Sequence, residues 1–245
     1  MTDPSPSRVV YAKPPVVEVI CQVTFDEAVP WSVATPGVLF QALKDEYPAD
    51  PTVMGAIRTT INSAQGGEIV VDPQAARFLF SNREQNRRLV ANGTCLSVNA
   101  LPPYEEWPNV VARFENAATA FRDAVADFTP VSASLRYINR IVIPEPSLNV
   151  SDYFTIPIVE AHRESAIQGF ITRSQILLPA ESAQLTITFG SHEHDVDTES
   201  AFLLDIEVSA PTNTGDVMST MEMLHAIENV EFESSITNKC RELFQ

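Results

Sequence analysis

From Val16 to Phe25 apolar and polar residues alternate. Val17, Val19, Cys21, Val23 and Phe25 fall on one side, and Glu18, Gln22 and Thr24 on the other. A period of two predicts a strand with one face on a core, and Pro14-Pro15 ahead of it discourages helix. A short helix is expected from Pro36 to about Tyr47, with Thr35 as cap and Pro48 as stop. Four short strands follow at Glu68–Val71, Ala76–Ser81, Arg87–Ala91 and Thr94–Asn99. Asp72-Pro73 separates the first two and Asn92-Gly93 the last two, which predicts an antiparallel meander.

The spacing changes to three and four residues at Trp107. Trp107, Val110, Val111, Phe114, Ala118, Phe121 and Val125 make one stripe, predicting a helix to about Phe128. Val131–Ile143 returns to strand. An irregular proline-containing stretch follows, then three strands at Ala166–Leu178, Gln184–Gly190 and Ala201–Ser209. A last helix is expected from Asp216. Its apolar residues Leu224, Ile227, Phe232, Ile236 and Leu243 fit one stripe loosely, so a break at 236–238 with Thr237 capping a final turn is expected.

Helices do not alternate one for one with strands, so a doubly wound parallel sheet is excluded. The expectation is α+β: a large, mostly antiparallel sheet, or two joined sheets, with amphipathic helices packed on one face. Residues 1–13 read as a polar tail. Residues 14–245 read as one domain, with 145–157 as the junction if it has two halves. No internal repeat is evident.

Four stretches in order carry a resemblance. They are Pro14-Pro15-Val16-Val17-Glu18-Val19; Arg88-Leu89-Val90 through Leu96-Ser97-Val98-Asn99 to Pro103-Tyr104 and Trp107; Leu135-Arg136-Tyr137-Ile138-Asn139-Arg140-Ile141; and Leu224-His225 with Ile236-Thr237 and Arg241-Glu242-Leu243-Phe244. From about residue 14 onward the chain resembles a sporadically distributed family of uncharacterised, roughly 250-residue bacterial and phage-borne proteins. The resemblance carries over no catalytic residue. Its scattered occurrence is typical of mobile or defence-linked genes.

Composition narrows the function classes. The 245 residues hold 16 Lys+Arg against 32 Asp+Glu, a net charge of −16. That balance argues against direct nucleic-acid or anionic-membrane binding. No segment has the ~18–20 uninterrupted apolar residues of a membrane-spanning helix, and the N-terminus lacks a secretory pattern, so a cytoplasmic protein is expected. Three scattered cysteines and no CxxC pair suggest neither a disulfide framework nor a thiolate metal site. Phosphate-loop, dinucleotide-binding, zincin and nucleophile-elbow motifs are all missing, and the chain has only eight glycines. No cofactor is expected.

Three sets of residues remain as candidates. Arg136 and Arg140 share a face of one strand, ~13 Å apart at ~3.3 Å per residue. With Arg87, Arg88, Tyr137 and Asn139 they could flank an anionic, nucleotide-like ligand. The alternative is an outer sheet face on which the guanidinium groups pair with acids of neighbouring strands. His192, His194 and Asp197 have a spacing that could hold a metal ion, in a stretch equally suited to a solvated hairpin tip. Tyr104 and Trp107 open the long helix, as a binding anchor or as a staple onto the core. Charge is distributed unevenly. Between Ser174 and Asn238 there is no Lys or Arg, while Glu193, Asp195, Asp197, Glu199, Asp205 and Glu207 lead a series of acids there; arginines gather in the middle of the chain. The acidic span could merely solubilise, could dock a basic protein partner, or could neutralise the middle within a monomer or across a homodimer. The expected function is therefore a non-catalytic protein-binding component of antitoxin, immunity or phage-defence type. The alternative is an anionic-ligand sensor or enzyme using the Arg136/Arg140 face.

Overall fold

The computed structural model describes residues 10–26, 29–54, 57–60, 68–71, 76–125, 129–158, 169–193, 196 and 198–245, with backbone alone at 57–60 and 68–71. In chain order the elements are β1 (Val16–Phe25), α1 (Thr35–Leu43), β2 (Thr52–Met54), β3 (Ile57–Thr60), β4 (Glu68–Val71), β5 (Arg77–Ser81), β6 (Arg87–Ala91), β7 (Cys95–Ala100) and α2 (Trp107–Val125). Then come β8 (Pro130–Ile143), a 3-10 turn at Val150–Asp152, β9 (Ile171–Leu178), β10 (Ala183–His192), β11 (Ser200–Pro211), α3 (Val217–Ser235) and α4 (Asn238–Arg241). Nine strands form one sheet in the order β2-β5-β6-β7-β1-β8-β11-β10-β9, and β3 and β4 form a separate pair. Every pairing is antiparallel. The fold is α+β, built on a large antiparallel sheet.

Period-two patterning decides which residues face the helices. Along β8 the odd positions from Ala133 to Ile143 are buried and the even ones half-buried. Val19, Cys21, Val23 and Phe25 on β1 join the odd row, as do Leu204, Ile206 and Val208 on β11. Both long helices lie on this side. Phe121 of α2 stacks on Phe25 at 5.2 Å, and His225 of α3 stacks over Tyr137 at 6.0 Å. Burying so many large apolar side chains in one layer is the main stabilising contribution.

The expected elements are present, with four differences. α1 begins at Thr35, with Ala34 and not Thr35 at the cap position, and ends at Leu43, short of Tyr47. Glu68–Val71 pairs with Ile57–Thr60 in the small sheet, not with the strand after Asp72-Pro73; residues 72–75 lie outside the described set. The strand expected from Ala166 begins at Ile171, with 159–168 outside the described residues. Strands β2 and β3 were not anticipated. The Asn92-Gly93 hairpin forms as expected, and the Asn92 Oδ1 accepts from the N–H groups of Thr94 and Cys95. Thr237 caps α4 by accepting from the Cys240 N–H.

Candidate functional site

The six residues of the arginine strand and its neighbours divide between the two sides of the sheet. Register sets Arg88 opposite Asn99, Asn99 opposite Ile20 and Ile20 opposite Arg136, so these lie in one row on the side away from the helices. Arg140 shares that side, while Arg87, Tyr137 and Asn139 face the helix layer. They do not converge on one cleft. Arg136 forks Asp205 of the adjacent strand, Nε donating at 2.8 Å and a terminal nitrogen at 2.6 Å. This two-pronged geometry is the strong form of such a pair. Asp205 sits beside Arg136 on the diagonal, with Glu207 directly opposite. The outer face thus has a guanidinium matched to an acid of the neighbouring strand.

On the helix side Arg87 donates from Nε to Glu105 at 2.5 Å. Beyond it lies Arg113 of α2, buried, with Glu105 at 3.4 Å and Glu46 at 3.7 Å and no hydrogen bond to its guanidinium among the described residues. Burial raises the Glu46 carboxyl, against the lowering pull of Arg113. Such a buried ionic cluster fixes geometry more than it stabilises. Asn139 donates its side-chain amide to the Leu204 carbonyl at 3.3 Å. A buried amide on the apolar face has in this way found a partner within the sheet.

A second polar group lies beneath α3. The Trp107 ring stacks on His225 at 4.2 Å and its Nε1 donates to Glu222 at 3.0 Å. The Tyr104 and Tyr137 hydroxyls are 3.0 Å apart. Tyr104 and Trp107 therefore tie the start of α2 to α3 and the sheet, which is the staple arrangement. One turn past His225, Glu228 is only 3% exposed. Burial, with Glu233 adding to it, pushes its carboxyl up to about 8. The Tyr137 hydroxyl is raised well above its ordinary value by burial first, and further by Tyr104 and Glu228. Cys21 faces the same layer, and burial pushes its thiol up to about 12. The thiol packs in the apolar layer as a small buried side chain.

The acids of the C-terminal span scatter. Asp205 and Glu207 lie on the outer sheet face; Glu193 and Glu199 flank the β10–β11 turn; Glu233 receives Arg241 and the Tyr11 hydroxyl. His194, Asp195 and Asp197 lie outside the described residues, and the His192 ring Nδ1 lies 2.8 Å from the Glu193 carbonyl. Among the described residues no group of three or more His, Cys, Asp or Glu is placed to hold a metal ion. No described helix is long and apolar enough to cross a membrane.

The surface of α3 departs most from the ordinary. The residues it turns to solvent include Ala226 and Val230, the latter 55% exposed, flanked by half-buried Met223 and Ile227. The helix has four glutamates and no Lys or Arg. On neighbouring α2, Glu115 and Asp123 are exposed beside one cation, Arg122. In the sequence the only trace of this is the loose stripe of the last helix, whose apolar residues are too widely spread for one buried face. No family model matches the chain, and a search of curated proteins finds no match to it either.

Proposed function

We propose that this protein is a non-catalytic recognition component and that a basic protein partner docks on the outward strip of α3. One observation supports the reading above the others: where a surface helix normally carries charge, α3 turns Ala226 and Val230 outward one turn apart, continuous with Met223 and Ile227, which are half-buried against the core. A lone exposed aliphatic needs no explanation; this pair extends an apolar strip from the core to the surface. Glu222 and Glu231 rim the strip, and the chain as a whole has a charge of −16. An apolar centre within an acidic rim suits a cationic partner, the centre giving burial and the rim giving steering and selectivity. Antitoxin and immunity proteins work in this way, by occupying a partner's surface. The scattered occurrence of the family that the motifs resemble is in keeping with it.

The test is capture from the native host by the intact protein and by Val230→Arg, each at low and high salt. A basic protein retained by the wild type at low salt, released by salt and lost with V230R is the expected result. Retention of the same protein by V230R, or no retained protein at all, overturns the proposal.

A further inference from the structure

The sheet ends on β9 at one edge and on β2 at the other. The two edges differ. β2 is three residues long, whereas β9 has eight and reads Ile-Thr-Arg-Ser-Gln-Ile-Leu-Leu. Exposed edges are usually protected by lysine, proline, a bulge or shortness. β9 has no lysine or proline and a single charge, Arg173; its register against β10 is continuous, and Ile171 and Leu177 are 77% and 75% exposed.

Hydrogen-bond alternation shows which backbone groups at this edge have no partner among the described residues. The Ser191 N–H donates to the Phe170 carbonyl at 3.0 Å, in the same register that sets Gly190 opposite Ile171 and Ala183 opposite Leu178. In an antiparallel ladder such directly opposed bonded pairs recur at every second residue. Thr172, Ser174, Ile176 and Leu178 therefore turn their backbone groups to β10. Ile171, Arg173, Gln175 and Leu177 turn theirs outward, four N–H and four C=O groups in a row.

We infer that β9 pairs antiparallel with β9 of a second copy of this chain, about a two-fold axis at Ser174. That register sets Ile171 opposite Leu177 of the second copy and Arg173 opposite Gln175. All four outward residues then find bonded partners among themselves, giving about eight ladder hydrogen bonds. The two most exposed aliphatics of each strand cover their counterparts twice, once at each end of the pair. Moving the axis to Gln175 would put Ile171 against Pro179, which has no N–H to give, and moving it to Arg173 would set two arginines directly opposite, so the Ser174-centred register is the one selected. A self-complementary strand under a two-fold axis is the isologous contact by which most homodimers close. The two nine-stranded sheets become one continuous sheet, and the α3 strip remains free on each copy.

The mass in solution and one proline test this. The full chain measured by light scattering at micromolar to submillimolar concentrations is expected at twice 27.0 kDa. Gln175→Pro removes an outward N–H and leaves the β10 ladder intact, so it should give a monomer with unchanged circular dichroism. Ser174→Cys is the second arm. Opposed residues of a non-bonded pair have Cα atoms ~4.5 Å apart, within disulfide reach. Cys21, Cys95 and Cys240 are all buried, so an oxidised S174C dimer on a non-reducing gel reports this contact alone. A monomeric wild type, a Q175P protein that remains dimeric, or a dimeric S174C that does not cross-link overturns the inference.

Discussion

The two halves of the chain share a strand, a three-stranded meander and a closing helix, with α1 and β2–β4 added in the first, and they come to different ends. The first half goes from β1 through the β5–β6–β7 meander to α2; the second goes from β8 through the β9–β10–β11 meander to α3. In each, the last meander strand pairs with the first strand of its half, β7 with β1 and β11 with β8, and β1 and β8 join antiparallel at the centre of the sheet. Both closing helices have 19 residues. Five buried positions of each correspond at a constant offset: Arg113, Phe114, Ala117, Phe121 and Val125 of α2 stand where α3 has Thr220, Met221, Leu224, Glu228 and Phe232. Phe121 thus has an acid as its counterpart. The first helix is built to close a core, while the second gives up apolar contact inside and shows apolar residues outside. A half that departs from its twin's packing without need is where selection for something besides stability is to be sought.

Truncating the better-packed side breaks the comparison most severely. Phe121, which touches both Phe25 and Trp31, should cost ~3–5 kcal/mol when cut to alanine, read from denaturant unfolding. Its counterpart moves the other way. A carboxyl raised from 4.5 to about 8 binds its proton more tightly folded than unfolded, so its contribution is complete below pH 4.5 and is lost as pH rises through about 8. Melting temperature should therefore fall across that window, and Glu228→Gln should flatten the fall and be the more stable protein by a few kcal/mol at pH 9. A wild-type melting curve indifferent to pH between 5 and 9 would show that the acid is not held in the apolar layer. On the outer face, Arg136→Ala should cost only about 1 kcal/mol because the pair is partly open to solvent. Asp205→Asn should cost about as much, and a double-mutant cycle measures the coupling between them.

Much of the architecture was legible because alternation and helical spacing are local. The β1 boundaries and the α2 stripe were written in single unbroken patterns, and Asn92-Gly93 announced its turn. What was not legible is pairing between distant segments. Nothing near Glu68–Val71 states that its partner lies before it at Ile57–Thr60, since both neighbours are β-prone. The arginine strand shows the same limit: alternation placed Arg136 and Arg140 together and Tyr137 and Asn139 opposite them, yet whether Arg136 met a ligand or an acid depended on Asp205, 69 residues away. The acidic span shows the limit in another way. Asp205 and Glu207 share the outer sheet face, whereas Glu193 and Glu199 lie at the β10–β11 turn and Glu233 on α3, so acids near in sequence belong to different elements. The likeness of the two halves lies in the order of their strands and closing helices and not in side chains, as Phe121 against Glu228 shows.

The central seam has a consequence for how the molecule comes into being. Val19 lies opposite Tyr137, so β1 leaves the ribosome long before its second neighbour exists. During that interval its own far edge is raw, and the meander beside it can close on only one flank. Synthesis that pauses between α2 and β8 would expose this unfinished rim to every other nascent copy in the polysome, and a chain ending there should be found with chaperones or in inclusion bodies.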